Sequence, residues 1–274
     1  MDRISKALEM ARQQKSETPP QRHLSIAKKV EPIVYTKTRS IPVSMEYLSE
    51  KCVIGSNKIS EPFADMYKVL RTRILQRMTQ NNWKTLGITS AGPKEGKTLT
   101  AINLSISIAM EMNHTVLLVD TDLRRPSVQK VFGITPEHGL TEHLTNDIPI
   151  EDILVHPGID RLVLLPNREN TNRSSELLVS PTMIKMVEEL KTRYSDRIVI
   201  FDLPPVLVGD DVVAFAPQLD AILLVIEDGK TNSDDLARTL ELLSHSELIG
   251  TVLNRSDEHA PKYDYYASKA AKAS

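Results

Sequence analysis

The chain has a single cysteine, Cys52, among 274 residues, so no disulfide can form within it. That scarcity suits a reducing compartment. An excess of charge is also missing: 34 Lys and Arg stand against 36 Asp and Glu, a formal net charge of −2. No whole-protein field therefore draws the chain to nucleic acid or to acidic substrates. Long apolar runs are absent too. The longest, such as Ala221 to Ile226, are strand-length, and none approaches the roughly 20 residues that a membrane-spanning helix needs. The N-terminus carries charge where a secretory signal would carry an apolar core. These absences lead us to expect a soluble, cytoplasmic protein that meets a membrane only through a partner.

The length fits one sizeable α/β domain with an extension, or two small domains. Residues 1–14 read as a short amphipathic helix. Ile4, Ala7, Leu8 and Ala11 share one face, and Arg3, Lys6, Glu9 and Arg12 the other. A helix this short is marginal alone in water. It is either a frayed tail or a segment that docks on a protein or membrane surface. Residues 15–60 read as a polar linker interrupted by Pro19, Pro20, Pro32 and Pro42, so residues 1–60 form an extension. From residue 61 to 256 the pattern is that of a folded domain, and residues 257–274 form a polar tail.

Within the domain, Phe63, Met66, Tyr67, Leu70, Ile74 and Leu75 recur at helical spacing. Strand-like runs follow at Thr85–Thr89, Thr115–Val119, Arg161–Leu165, Arg197–Phe201, Ala221–Ile226 and Ile249–Leu253. Helical stretches at Thr98–Glu111, Ser180–Arg193 and Asp234–Ser244 alternate with them. Several strands are nearly continuous in Val, Ile and Leu, as strands buried on both faces are. The expected fold is α/β, a mainly parallel sheet flanked by helices, with ligands at the carboxyl ends of the strands.

The chemistry gathers at those ends. The first strand runs into Ser90-Ala91-Gly92-Pro93-Lys94-Glu95-Gly96-Lys97-Thr98 and a helix follows at once. This is a Walker A loop with Ala91 in place of the first glycine of G-x-x-x-x-G-K-[ST]. Residues 91–99, from Ala91 to Leu99, are the expected nucleotide contacts. Gly92 and Gly96 let the backbone wrap a phosphate, and the helix N-terminus adds partial positive charge. Lys97 supplies a point charge to the β and γ phosphates, and the Thr98 hydroxyl is placed for Mg²⁺. Two further strands end in acids: Asp120 with Asp122, and Asp202. Carboxylates are costly to leave unpaired in a core. Beside a phosphate loop they have Mg²⁺ and its waters as partners.

The segments TSAGPKEGKTLTAINLSISIA, VLLVDTDLRRPSVQKVFG and IVIFDLPPV resemble the bacterial tyrosine kinases of exopolysaccharide and capsule synthesis, in their cytoplasmic form. The second segment carries that family's D-x-D-x-R motif as Asp120, Asp122 and Arg124. Partition and septum-positioning ATPases share the fold but place a lysine five residues before the Walker lysine, where this chain has Gly92.

The resemblance implies a P-loop fold, ATP and Mg²⁺ as cofactors, and transfer of the γ-phosphoryl group to tyrosine. It implies a C-terminal acceptor cluster, here Tyr263, Tyr265 and Tyr266, phosphorylated in a neighbouring subunit of an oligomer. It implies an oligomerisation motif E-x-x-R-x-x-R, here Asp65, Lys68 and Arg71, with two residue types changed. It also implies a transmembrane chain-length regulator as partner. On this reading Thr98, Asp122 and Asp202 hold Mg²⁺ and Asp120 accepts the phenolic proton. Arg124 either neutralises charge in the transition state or anchors its loop. Asn254 either contacts adenine or makes a turn. Neither spacing nor resemblance fixes which aspartate takes which role. The rival readings are a non-catalytic, ATP-gated module of an export complex and a partition-type ATPase.

Overall fold

A computed structural model describes residues 38–55 and 60–256. The amphipathic stretch 1–14 and the tail tyrosines lie outside them.

Eight strands form one sheet: β1 (Arg39–Ser40), β2 (Thr85–Ser90), β3 (Thr115–Asp120), β4 (Val155–His156), β5 (Leu162–Leu165), β6 (Arg197–Asp202), β7 (Ala221–Glu227) and β8 (Leu248–Asn254). Their order is β1-β4-β5-β3-β6-β2-β7-β8, and every pair is parallel except β4 with β5. The six expected strands are all present, with ends within a residue or two of the sequence reading.

The continuous apolar runs are explained by burial on both faces. Along β3, Val116 and Leu118 face one core, while Leu117 and Val119 face the other. Ile198 and Ile200 of β6 divide from Val199 and Phe201 in the same way. Helix Lys97–Ala109 covers the first face and is buried on nearly all sides, because helix Glu61–Asn81 packs over it. Helix Pro181–Thr192 covers the second. It starts where the Ser180 hydroxyl accepts from the Met183 amide at 3.2 Å, and it buries Met183, Met186, Val187 and Leu190 at i, i+3, i+4 and i+7.

One expectation is corrected. Residues 38–55, read as part of a linker, are built into the domain. β1 adds a parallel strand beside β4, extended by the Ile41 amide on the His156 carbonyl at 2.9 Å. Helix Met45–Glu50 follows, capped by Ser44, and Leu48, Val53 and Ile54 enter the first core. Full burial of such a side chain stabilises by roughly 1.5–3 kcal/mol. Asn103 fastens the segment from below: its side-chain oxygen accepts from the Ile54 amide at 2.9 Å and its NH₂ donates to the Cys52 carbonyl at 3.1 Å. The Tyr47 hydroxyl donates to the Lys130 carbonyl at 2.9 Å. A two-residue strand and a short helix carry too little periodicity to be seen among prolines and polar residues.

At the far end of the sheet, Asp220 ties the start of β2 to the start of β7. Its carboxylate accepts from the amides of Lys84 at 2.7 Å and Thr85 at 2.9 Å, and from the Lys191 ammonium at 2.8 Å. Burial pushes this carboxyl up, but the lysine and the amides together outweigh it and hold the group below the ordinary carboxylate range. Hydrogen bonds to a charged group contribute about 1.5–3 kcal/mol. Asp220→Asn should lower stability in urea by that order at neutral pH. Because the folded pKa is depressed, the ionised carboxylate stabilises above the unfolded value near 3.8, and the benefit is lost as pH falls through the folded value. The gap between the two proteins should therefore narrow in acid; a gap that stays constant with pH would exclude the ionic role.

Candidate nucleotide site

The loop after β2 turns into helix Lys97–Ala109 through two residues in the left-handed region, Lys94 at φ 65° and Gly96 at φ 96°. The backbone N–H groups of Glu95, Gly96, Lys97 and Thr98 donate to no acceptor among the described residues. A row of free amides at a helix N-terminus is a cradle for phosphate.

The outer side of the loop is held by the neighbouring strand ends. The Asn254 amide donates to the Glu95 carbonyl at 2.8 Å, Lys230 donates to the Pro93 carbonyl at 2.9 Å, and the Thr231 hydroxyl donates to the buried Glu95 carboxylate at 2.8 Å. Asn254 thus positions the loop backbone from behind, and its side chain does not line the pocket. Gly96 is required twice over: its φ is positive, and a Cβ there would stand 2.0 Å from the Asn254 side-chain nitrogen.

The acids meet in front of the helix. Asp120 and Asp202 are register partners in β3 and β6. Lys97 Nζ lies 2.9 Å from Asp122 and 3.3 Å from Asp202, and the Thr98 hydroxyl donates to Asp202 at 2.7 Å. Burial pushes the Asp120 carboxyl up to about 8, and the charge of Asp202 adds to the shift. Burial raises Asp202 as well. Lys97 is pulled down by its own burial, yet Asp202, Asp122 and Asp120 outweigh this and keep it charged.

The three acids are not equivalent. Asp120 is wholly buried, and one of its oxygens accepts from the amides of Ser127 and Val128, both at 2.9 Å. It holds the loop that leads into helix Val128–Phe132 and does not line the pocket. Asp122 does line it. Asp122 and Asp202 share one ammonium, which leaves the site short of positive charge, and Thr98 adds a hydroxyl beside them. That donor set fits Mg²⁺, which binds through one or two carboxylates and completes its shell with phosphate oxygens and water.

Arg124 is committed elsewhere. Its Nε donates to Asp211 at 2.8 Å, with Asp210 at 3.7 Å. Asp211 is buried at the start of helix Asp211–Phe215, and Gly209 passes so close that a Cβ would lie 2.7 Å from its carboxylate. Of the two sequence-based roles for Arg124, this geometry is the anchor. Asp211 was missed, and only its place in an acidic pair after the Asp202 loop could have drawn attention to it.

The pocket has a volume of about 830 Å³. It takes in Pro93, Lys94, Gly96, Lys97, Thr98 and Leu99 of the loop, and beyond them Arg125, Ser127, Val131, Asn172, Val208 and Arg255, which sequence reasoning did not single out. Ala91, Gly92 and Glu95 shape the loop from outside the pocket lining. Asp65 and Lys68 form an exposed pair at 2.8 Å on helix Glu61–Asn81. Arg71 turns inward instead, donating to the Ser107 carbonyl at 2.9 Å.

A parallel sheet, a phosphate cradle and paired acids at adjoining strand ends define a P-loop nucleotide-binding domain. More narrowly, the chain belongs to the bacterial tyrosine-protein kinase family. A family model described as an AAA domain matches residues 89–243. Tyrosine-protein kinase YwqD of Bacillus subtilis (strain 168) is 33% identical over 224 residues, covering 80% of this chain and 93% of that protein. The succinoglycan biosynthesis transport protein ExoP of Rhizobium meliloti (strain 1021) is 31% identical over 71% of this chain, but the match spans only 25% of that protein. The kinase domain of the Escherichia coli tyrosine kinase ETK superposes with a TM-score of 0.68 at 26% identity, covering 81% of this chain and 90% of that one. The relatives are thus named as tyrosine kinases and as a succinoglycan biosynthesis transport protein, and the fold implies binding of nucleotide and Mg²⁺.

Gly96→Ala should weaken nucleotide binding at least about tenfold, since a left-handed alanine is strained by on the order of 1–2 kcal/mol and also strikes Asn254. Adding Asn254→Gly should restore only part of the loss, because it removes the clash and leaves the strain. Titration with a fluorescent nucleotide, with a melting curve to confirm folding, reads both. Wild-type affinity in the single variant would mean that this loop conformation is not needed for binding.

Proposed function

We propose that this chain is an ATP-dependent protein-tyrosine autokinase acting in exopolysaccharide polymerisation or export, with the tail tyrosines Tyr263, Tyr265 and Tyr266 as acceptors in a neighbouring subunit. The observation that carries the reading is Lys97, held between Asp122 and Asp202 under a row of free amides.

In this reading the loop amides and Lys97 bind the β and γ phosphates of ATP. The phenolic oxygen attacks the γ phosphorus as the bond to the β–γ bridging oxygen breaks, and the charge that passes to the leaving ADP is met by Lys97 and the amides. Thr98, Asp202 and Asp122 would hold Mg²⁺, which when bound would supply further charge neutralisation. Asp122 is the carboxylate that reaches the pocket, so we assign it the phenolic proton, in place of Asp120, whose position favours holding the 127–128 loop. A phenol has pKa about 10, so an adjacent carboxylate assists its attack.

Among the described residues no helix is long and apolar enough to cross a membrane. A transmembrane chain-length regulator would then supply the membrane contact, with the kinase peripheral at the cytoplasmic face. Asp65 and Lys68 are exposed and available for a subunit contact; Arg71 would act from within its own helix pair.

Lys97→Met should abolish phosphotyrosine formation with Mg-ATP while the chain still unfolds cooperatively, at a lowered melting temperature because Asp122 and Asp202 lose their counter-charge. A full-length chain with all three tail tyrosines changed to phenylalanine should still phosphorylate the tail of the Lys97→Met chain when the two are mixed. Phosphotyrosine in the Lys97→Met protein alone would sink the site assignment, and an unlabelled mixture would sink transfer between subunits.

A further inference from the structure

Five cationic side chains line the pocket, and three are already paired. Lys97 holds Asp122 and Asp202, Arg124 holds Asp211 at 2.8 Å, and Arg255 holds Glu227 at 2.6 Å. Lys94 and Arg125 have no acidic partner within 4.0 Å among the described residues. Lys94 belongs to the phosphate loop. Arg125 does not: it stands on the segment between Asp122 and Ser127 and lines the same pocket.

The backbone under Arg125 is fixed on both sides. Its own amide donates to Asp122 at 3.0 Å, and the Ser127 amide donates to Asp120 at 2.9 Å. The side chain itself is exposed. An anchored base with a free guanidinium suits recognition of an incoming group better than a structural tie, for which Arg124 next door is the contrast. Also in the pocket lining are Pro204, Pro205 and Val208, the last 52% exposed. Apolar side chains of this kind suit a phenol ring, and a cation at the rim suits an acidic neighbour of that ring.

We propose that Arg125 is the specificity residue for the acceptor: its guanidinium pairs with a carboxylate adjacent to the tyrosine being phosphorylated, and in this chain's own tail that carboxylate is Asp264. The proposal rests on the kinase reading and adds a sequence preference to it. The tail reads Lys262-Tyr263-Asp264-Tyr265-Tyr266, so Asp264 neighbours two of the three tyrosines. The Cα atoms of neighbouring residues are only about 3.8 Å apart. A tyrosine held in the pocket therefore keeps the adjacent aspartate at its mouth, within the span of an arginine side chain at the rim. Guanidinium is the cation fitted to this task, since its planar fork meets a carboxylate in two parallel hydrogen bonds.

Two full-length chains test it. The donor carries Tyr263→Phe, Tyr265→Phe and Tyr266→Phe and cannot accept; the acceptor carries Lys97→Met and cannot donate. Transfer is followed against acceptor concentration. Separately, a peptide of residues 257–274 is titrated onto donor loaded with Mg²⁺ and a non-hydrolysable ATP analogue. Arg125→Gln in the donor should raise KM for the acceptor about fivefold to tenfold, with KM for ATP unchanged. Asp264→Asn in the acceptor should cost the same, and the two changes together should cost no more than either. Arg125→Glu against Asp264→Lys should recover part of either loss. An equal fall in kcat with both acceptors would place Arg125 on the phosphate, and an unchanged acceptor KM would leave it without a role; either result overturns the proposal. If the donor with Arg125 intact transfers no phosphate at all, it is the kinase reading that fails. The pair is then judged by the peptide: equal affinity for the Arg125 and Arg125→Gln chains overturns it, and weaker affinity for the latter supports it.

Discussion

The site depends on confining Asp120, Asp122 and Asp202 around one ammonium. Three carboxylates that close cannot all ionise in a dry interior. The protein manages them by different means: Asp120 is raised to about 8, Asp202 receives the Thr98 hydroxyl, and Asp122 shares Lys97 with it. The parallel sheet forces the crowding. β3 and β6 are neighbours with Asp120 opposite Asp202, and β2 on the other side of β6 brings the lysine at the head of its helix. The topology that creates the electrostatic cost also creates the place where a divalent cation and a triphosphate relieve it.

The phosphate loop is held from behind, and its front is left free. Asn254, Lys230 and Thr231 come from the far ends of β8 and the β7 loop, and all bind backbone or side-chain oxygens of residues 93–95. The Leu207 amide reaches the Ala91 carbonyl at 3.1 Å, and Thr89 donates to the Pro204 carbonyl at 2.6 Å, so the Asp202 loop is knitted to the same turn. With the Pro93 and Glu95 carbonyls engaged from behind and the amides of residues 95–98 left free, the front of the loop offers hydrogen-bond donors, and donors select an anion.

The strands and the phosphate loop were legible because each is local: a run of Val, Ile and Leu, or an eight-residue pattern that runs from the end of a strand into a helix. Asp120, Asp122 and Asp202 were legible because they end such runs. Their division of labour was not, since the amides that engage Asp120 belong to Ser127 and Val128, and only the turn between them brings these back. Asp211 and Arg125 escaped for the opposite reasons: one is an acid found by its partner 87 residues away, the other an arginine notable for having none nearby. Residues 38–55 looked like linker because the contacts that seat them on the domain are remote, as with Tyr47 and the carbonyl of Lys130, 83 residues on.

Those remote contacts set an order of events in folding. Ser40 meets His156 across 116 residues, and Leu48, Val53 and Ile54 need helix Lys97–Ala109 already laid on the sheet. Loop closure of that length is entropically unfavourable until its contacts exist to reward it. On a ribosome, residues 38–55 emerge before all their partners and must wait, apolar side chains uncovered, until β4 and β5 have been synthesised and paired. A segment made early is thus seated only after chain more than a hundred residues on has been made, and during that interval its uncovered apolar side chains are open to aggregation or to a chaperone.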